Sequence, residues 1–115
     1  VTAIAPPPDV APLMTLAAAG VQVYECRPRA GDGAAAWAFV APEAELFDAA
    51  GRSVGTHGAG PHWQAHDGSR LHGRIRARAR VDTAGGGLPW LLLDAEASGP
   101  TGAFSGVSAI QRVRT

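Results

Sequence analysis

With 115 residues, the chain is long enough for one domain that buries roughly two-thirds of its unfolded surface, and too short for a second core. Ten basic residues balance ten acidic ones, which argues against a nonspecific nucleic-acid binder. All of the bases are Arg, read first as codon bias and only second as a demand for bidentate anion binding. No run reaches the ~18 apolar residues of a membrane helix, so no membrane span is expected.

Residues 1–12 are rich in Pro and Ala and predict an extended arm. Residues 13–19 predict one short helical turn ended at Gly20, which completes an N-terminal arm over 1–19 ahead of a single β domain over 20–115. Ala17-Ala18-Ala19 looks like a signal-peptidase site, but no basic region precedes it, so the segment is read as mature sequence. The first strand spans 21–26, with Val21 and Val23 on one face and Tyr24 and Cys26 on the other. The lone Cys26 is expected to be a small core hydrophobe. A partner beyond Thr115 is the alternative, because the chain stops on the strand-like run 110–114.

A loop over 27–33 leads to a second strand over 35–40, carrying Trp37 and Phe39 on one face. Residues 45–47 and 53–57 predict a hairpin about Asp48 to Gly51, and 62–65 pairs with 69 onward around Asp67-Gly68. The two hairpins form a weak repeat, with Asp48, Gly51, Val54 and Gly55 echoing Asp67, Gly68, Leu71 and Gly73. From Leu71 to Val81 the alternation is strict, placing His72, Arg74, Arg76, Arg78 and Arg80 on one face. A Gly-rich loop over 84–88 hands over to Trp90-Leu91-Leu92-Leu93, a strand buried on both faces. A polar loop over 95–102 precedes a last strand over 104–113, with a bulge at Ser105-Gly106. About seven strands and no long helix predict an all-β fold, a small antiparallel sandwich or partly closed barrel connected by hairpins.

Several residue sets carry candidate chemistry. Arg74, Arg76 and Arg78 recur every ~6.6 Å along one strand face and could hold an anion, although a solvated face paired with neighbouring carboxylates is the plainer reading. His57, His62, His66 and His72 fall close together but match no metal-ligand spacing, so no metal site is assigned. His57-Gly58-Ala59-Gly60 has the look of an oxyanion loop, yet no G-x-S-x-G elbow accompanies it, and a triad of His57, Asp67 and Ser69 exists only on paper. Gly85-Gly86-Gly87 lacks both Walker and dinucleotide spacing, and no cofactor is expected. Of Trp37, Trp63 and Trp90, two are expected in the core, with Trp63 partly exposed.

Val23-Tyr24-Glu25-Cys26, Trp37, Asp48 to Gly51, Val54-Gly55-Thr56-His57, Gly60-Pro61-His62-Trp63, Asp67-Gly68-Ser69, Leu88-Pro89-Trp90-Leu91-Leu92-Leu93 and Ile110-Gln111-Arg112 occur in an order and spacing that resembles one family. It is the secreted bacterial and fungal family catalogued as domain of unknown function 3455. The resemblance implies export, to the periplasm or outside the cell, through a signal peptide already removed. It also implies a further strand with a second Cys to pair with Cys26. A malate-dehydrogenase label on some fungal relatives finds no nicotinamide fingerprint here.

The residues favour a noncatalytic module that binds an unknown ligand in a shallow site formed by His57, Gly60, Trp63 and Asp67, where a Gly-Pro loop lets backbone approach a ligand and an aromatic can stack. A structural or surface interaction protein without a small ligand is the alternative, and a His-dependent metal-binding or hydrolytic protein stands behind both.

Overall fold

The computed structural model describes residues 2–28, 31, 33–80 and 88–115. A 3-10 turn at Thr2–Ile4 is followed by strands β1 (Ala17–Pro28), β2 (Ala35–Phe47), β3 (Ser53–Gly58), β4 (His62–Ala65), β5 (Arg70–Ala79), β6 (Trp90–Ser98) and β7 (Ala109–Arg112). All seven pair antiparallel in chain order within one sheet, which does not close. The Gly85-Gly86-Gly87 loop and Val81 lie outside the described residues.

The turns explain why the order is sequential. Asp48 Oδ1 accepts hydrogen bonds from the backbone N–H groups of Ala50 and Arg52, while Gly51 takes φ +81°. Asp67 Oδ1 likewise accepts from the Ser69 N–H, beside Gly68 at φ +94°. Both are side-chain-closed turns that reverse the chain within a few residues, so each strand meets its successor.

The short helix expected over 13–19 is replaced by strand. Ala17 to Gly20 pair with Phe47 to Ala44, so tertiary pairing overrides the local preference of alanine. Gly20 permits this, because a Cβ there would run into Glu43 O and Ala44. Within the arm, Ile4 is only 2% exposed and packs with Ala79 and Leu92. The expected last strand shortens to four residues, and Phe104 instead sits in a turn, 3% exposed in the main core.

Directly paired residues share a face, so the registers assign every strand position to one of two sides. The core face carries Leu46, Ala65, Leu71, Leu93 and Ile110, with Phe104 laid over it. Leu91, Leu92 and Leu93 are all buried, as a strand covered on both sides requires: Leu92 belongs to the opposite side, beneath Ile4. Burying each such side chain contributes about 1.5–3 kcal/mol.

From Glu43 back to Ala35 the β1–β2 hairpin has no neighbour on β3, because β3 pairs only with Ala44 to Phe47. The hairpin therefore projects, and the radius of gyration is 15.7 Å against about 13 Å for a compact chain of this length. Cys26 rides on this projection, exposed, and is not the core residue expected.

Candidate functional site

The β3–β4 hairpin builds the centre of the site from local sequence. His57 lies opposite Trp63, and their rings stack at 4.5 Å and 11° on the core face. His57 Nδ1 donates to the carbonyl oxygen of His62 at 2.9 Å, which leaves Nε2 as an acceptor without a partner among the described residues. Desolvation, above all, holds the His57 imidazole below its usual pKa against the opposing bond to the His62 carbonyl, and the positive fields of His62 and Arg112 add to the lowering, so the ring is neutral above the ordinary histidine range. Gly60, at φ +130°, sits exposed at the hairpin tip beside Pro61, whose carbonyl accepts from Gly73 N.

Trp63 is half-buried against the main core, and its ring lies over Gly73, where a Cβ would come within 2.6 Å of Cζ3. Trp90 packs into the second cluster, so two of the three tryptophans do serve cores. The third, Trp37, is 75% exposed.

Around Trp37 the core face continues as an uncovered aromatic surface. A bulge between Val23 and Tyr24 keeps Tyr24 opposite Phe39 and Cys26 opposite Trp37, all on the side of His57 and Trp63. Tyr24 meets Phe39 edge-to-face at 5.6 Å, and an open hollow of about 370 Å³ lies between Tyr24 and Trp37.

Asp67 does not join this site. It sits in the β4–β5 turn, past the end of β4 at Ala65, and its oxygens are taken. Oδ1 accepts from Ser69 N and Oγ, and Oδ2 accepts from Ala103 N at 2.8 Å. These bonds, the Ser69 hydroxyl foremost, hold its carboxyl below the usual carboxylate range. Asp67 thus ties the β4–β5 turn to the β6–β7 connection. Ser69 is fully buried, donating to Asp67 and accepting from Phe104 N, so the paper triad with His57 does not assemble.

The other histidines separate as well. His62 and His72 pair on the opposite face, and His66 Nε2 meets Ser53 Oγ in the turn. Among the described residues no three metal-ligating side chains converge.

The arginine stripe divides. A bulge between Ile75 and Ala77 switches the parity of β5, so Ala77 and Ala79 turn to the face of Leu92 and Trp90. Arg74 lies opposite Asp94 and Arg76 Nη1 reaches Asp94 Oδ1 at 3.5 Å, whereas Arg78 crosses to the core face opposite Leu91. Arg112, on the far side of Leu91, shares that row. Its guanidinium donates to the Pro89 carbonyl through Nε and Nη2, and burial, then the like charge of Arg78, holds its pKa below the usual value. Sequence reasoning passed over Arg112, although its two-residue spacing from Ile110 already set it on the apolar side of β7.

Among the described residues no helix is long and apolar enough to cross a membrane. The family model described as Protein of unknown function (DUF3455) matches residues 6–115. No curated protein and no solved structure shows a significant match to the chain.

Proposed function

The chain belongs to the DUF3455 family, and from the geometry of its open core face we propose that it is a noncatalytic module that binds an apolar, ring-bearing ligand. The observation that carries this reading is the His57–Trp63 stack, half-buried on the same face of the sheet that carries the exposed rings of Tyr24, Trp37 and Phe39. Large apolar side chains left uncovered together on one face mark a binding surface more often than singly scattered ones do. Trp63 supplies a rigid stacking plane, and the neutral His57 offers Nε2 as an acceptor at its margin. In this reading the sheet is an incompletely closed barrel whose ligand occupies the concave side. Export from the cytoplasm, implied by the family resemblance, is part of the same proposal and is tested by fractionating the host cells.

The test is fluorescence titration with the neutral probe N-phenyl-1-naphthylamine. The wild-type protein binds it, and Trp63→Ala weakens binding at least tenfold while circular dichroism retains the β signature. Unchanged affinity in a folded Trp63→Ala protein overturns the assigned site.

A further inference from the structure

The charges of this sheet are segregated by face. At the strand positions, Glu25, Glu43, Glu45, Asp94 and Glu96 all fall on the side opposite the core face, as the registers of β1, β2 and β6 require. The core face carries no carboxylate at any described strand position. Its only formal cations there are Arg78 and Arg112, which flank the buried Leu91 in one row across β5, β6 and β7. Two strand spacings put their Cα atoms about 10 Å apart. Neither guanidinium has a carboxylate within ion-pair distance among the described residues, in contrast to Arg76 with Asp94 and Arg27 with Glu25 on the other side.

A partly buried guanidinium without a counter-ion is costly, and a second one beside it adds repulsion. The face therefore lacks negative charge where it is most cationic, and the same face carries the exposed aromatic rings. Tyr24, on the opposite edge strand but the same face, opposes the lowering of the Arg112 pKa that burial and Arg78 cause.

We propose that the Arg78–Arg112 pair is the anion-binding end of the site, and that the ligand is an organic anion: a flat apolar body carrying a carboxylate, sulfonate or phosphate. The body lies on the aromatic surface and the anionic group sits over Leu91, between the two forks. Arginine suits this role because its planar donors match such oxyanions bidentately. The proposal rests on the aromatic site described above and adds the charge of its ligand.

The experiment compares two probes that share one ring system, 8-anilino-1-naphthalenesulfonate and the uncharged N-phenyl-1-naphthylamine, in fluorescence titrations at low and high salt. The wild-type protein is expected to bind the sulfonate at least tenfold more tightly at low salt, with the preference shrinking as salt rises. Arg78→Glu, which breaks no described contact, should weaken sulfonate binding at least tenfold and leave the neutral probe unchanged. Arg74→Glu, on the opposite face, should leave both unchanged. Arg112→Lys keeps the charge but loses the planar fork, and should weaken only the sulfonate.

Equal affinity for both probes, or a sulfonate affinity indifferent to Arg78→Glu, overturns the anionic assignment while the aromatic site stands. So does an Arg74→Glu effect as large as that of Arg78→Glu, which would reduce the preference to overall charge. Failure of wild-type protein to bind either probe removes the aromatic site and this inference with it.

Discussion

Replacing Gly73 by Ala tests whether close packing holds Trp63 in place. A Cβ built on Gly73 stands 2.6 Å from Trp63 Cζ3, 2.9 Å from Cη2 and 3.1 Å from Leu93 Cδ2. Carbon atoms in ordinary contact lie about 3.5–4.0 Å apart, so the indole has to retreat by about 1 Å. Leu93, 2% exposed, blocks relief in the other direction. Overpacking of this kind costs about 1–3 kcal/mol. Removing a glycine from the unfolded chain returns about 0.4–1 kcal/mol, which leaves a net loss of about 1–2 kcal/mol. For a chain of 115 residues this corresponds to a fall in Tm of about 4–8 °C, read by circular dichroism or calorimetry. Gly106→Ala is the control, because its Cβ meets only Leu13 Cδ2 at 3.9 Å and should shift Tm little. The decisive measurement is the double variant: once Trp63 is Ala, the cost of Gly73→Ala should disappear. The packing argument fails if Gly73→Ala melts with wild type, or if its cost persists without the indole.

Ser69→Ala should cost about 2–4 kcal/mol in denaturant unfolding, because it removes a hydrogen bond to a carboxylate and leaves the buried Phe104 N–H without its acceptor; a loss below about 0.5 kcal/mol would show that the turn-to-loop tie contributes little. Stability should fall as pH drops below about 6.5, since the unfolded chain then takes up a proton that the depressed native His57 does not. The loss levels off below the native His57 pKa, and His57→Gln should flatten this part of the Tm-against-pH curve; superimposable curves would refute the assignment. Asp67 acts in a lower window: its depressed carboxyl stabilises the fold above the ordinary carboxylate range, and that stability is lost as pH falls through the native value. Leu93→Ala should cost about 2–5 kcal/mol, whereas Trp37→Ser should change stability by less than about 0.5 kcal/mol, because Trp37 stands 75% in solvent. A large Trp37→Ser effect would mean that the aromatic hairpin is a structural core.

The strand order and the hairpins were legible because their causes are local. Asp48 and Asp67 close turns on amides a few residues away, and Gly51 and Gly68 take the positive φ those turns need. The pairing of His57 with Trp63 follows from the same short-range logic, since one tight hairpin separates them. The double burial of Leu91 to Leu93 was visible as an uninterrupted apolar run. Asp67 was misplaced because a turn aspartate that closes its own backbone has the same sequence appearance as one that reaches toward a ligand.

What only the tertiary structure decided is which face each residue takes after an irregularity, and which distant strands share that face. Period-two alternation carries a side chain to its face only while the register holds, and a single bulged residue inverts every position beyond it. The bulge in β5 moves Arg78 away from Arg74 and Arg76 and sets it in line with Arg112, 34 positions further along the chain. Nothing in the run from Leu71 to Val81 marks that change, because the shift is set by pairing with β6. The same holds for the hairpin carrying Tyr24, Cys26, Trp37 and Phe39: Cys26 and Trp37 read as core, and the early end of β3 leaves all four in solvent. Local chemistry thus determined the turns and the strand sequence, while the apolar face and its paired cations arise from register and strand length, which depend on partners far away in the chain.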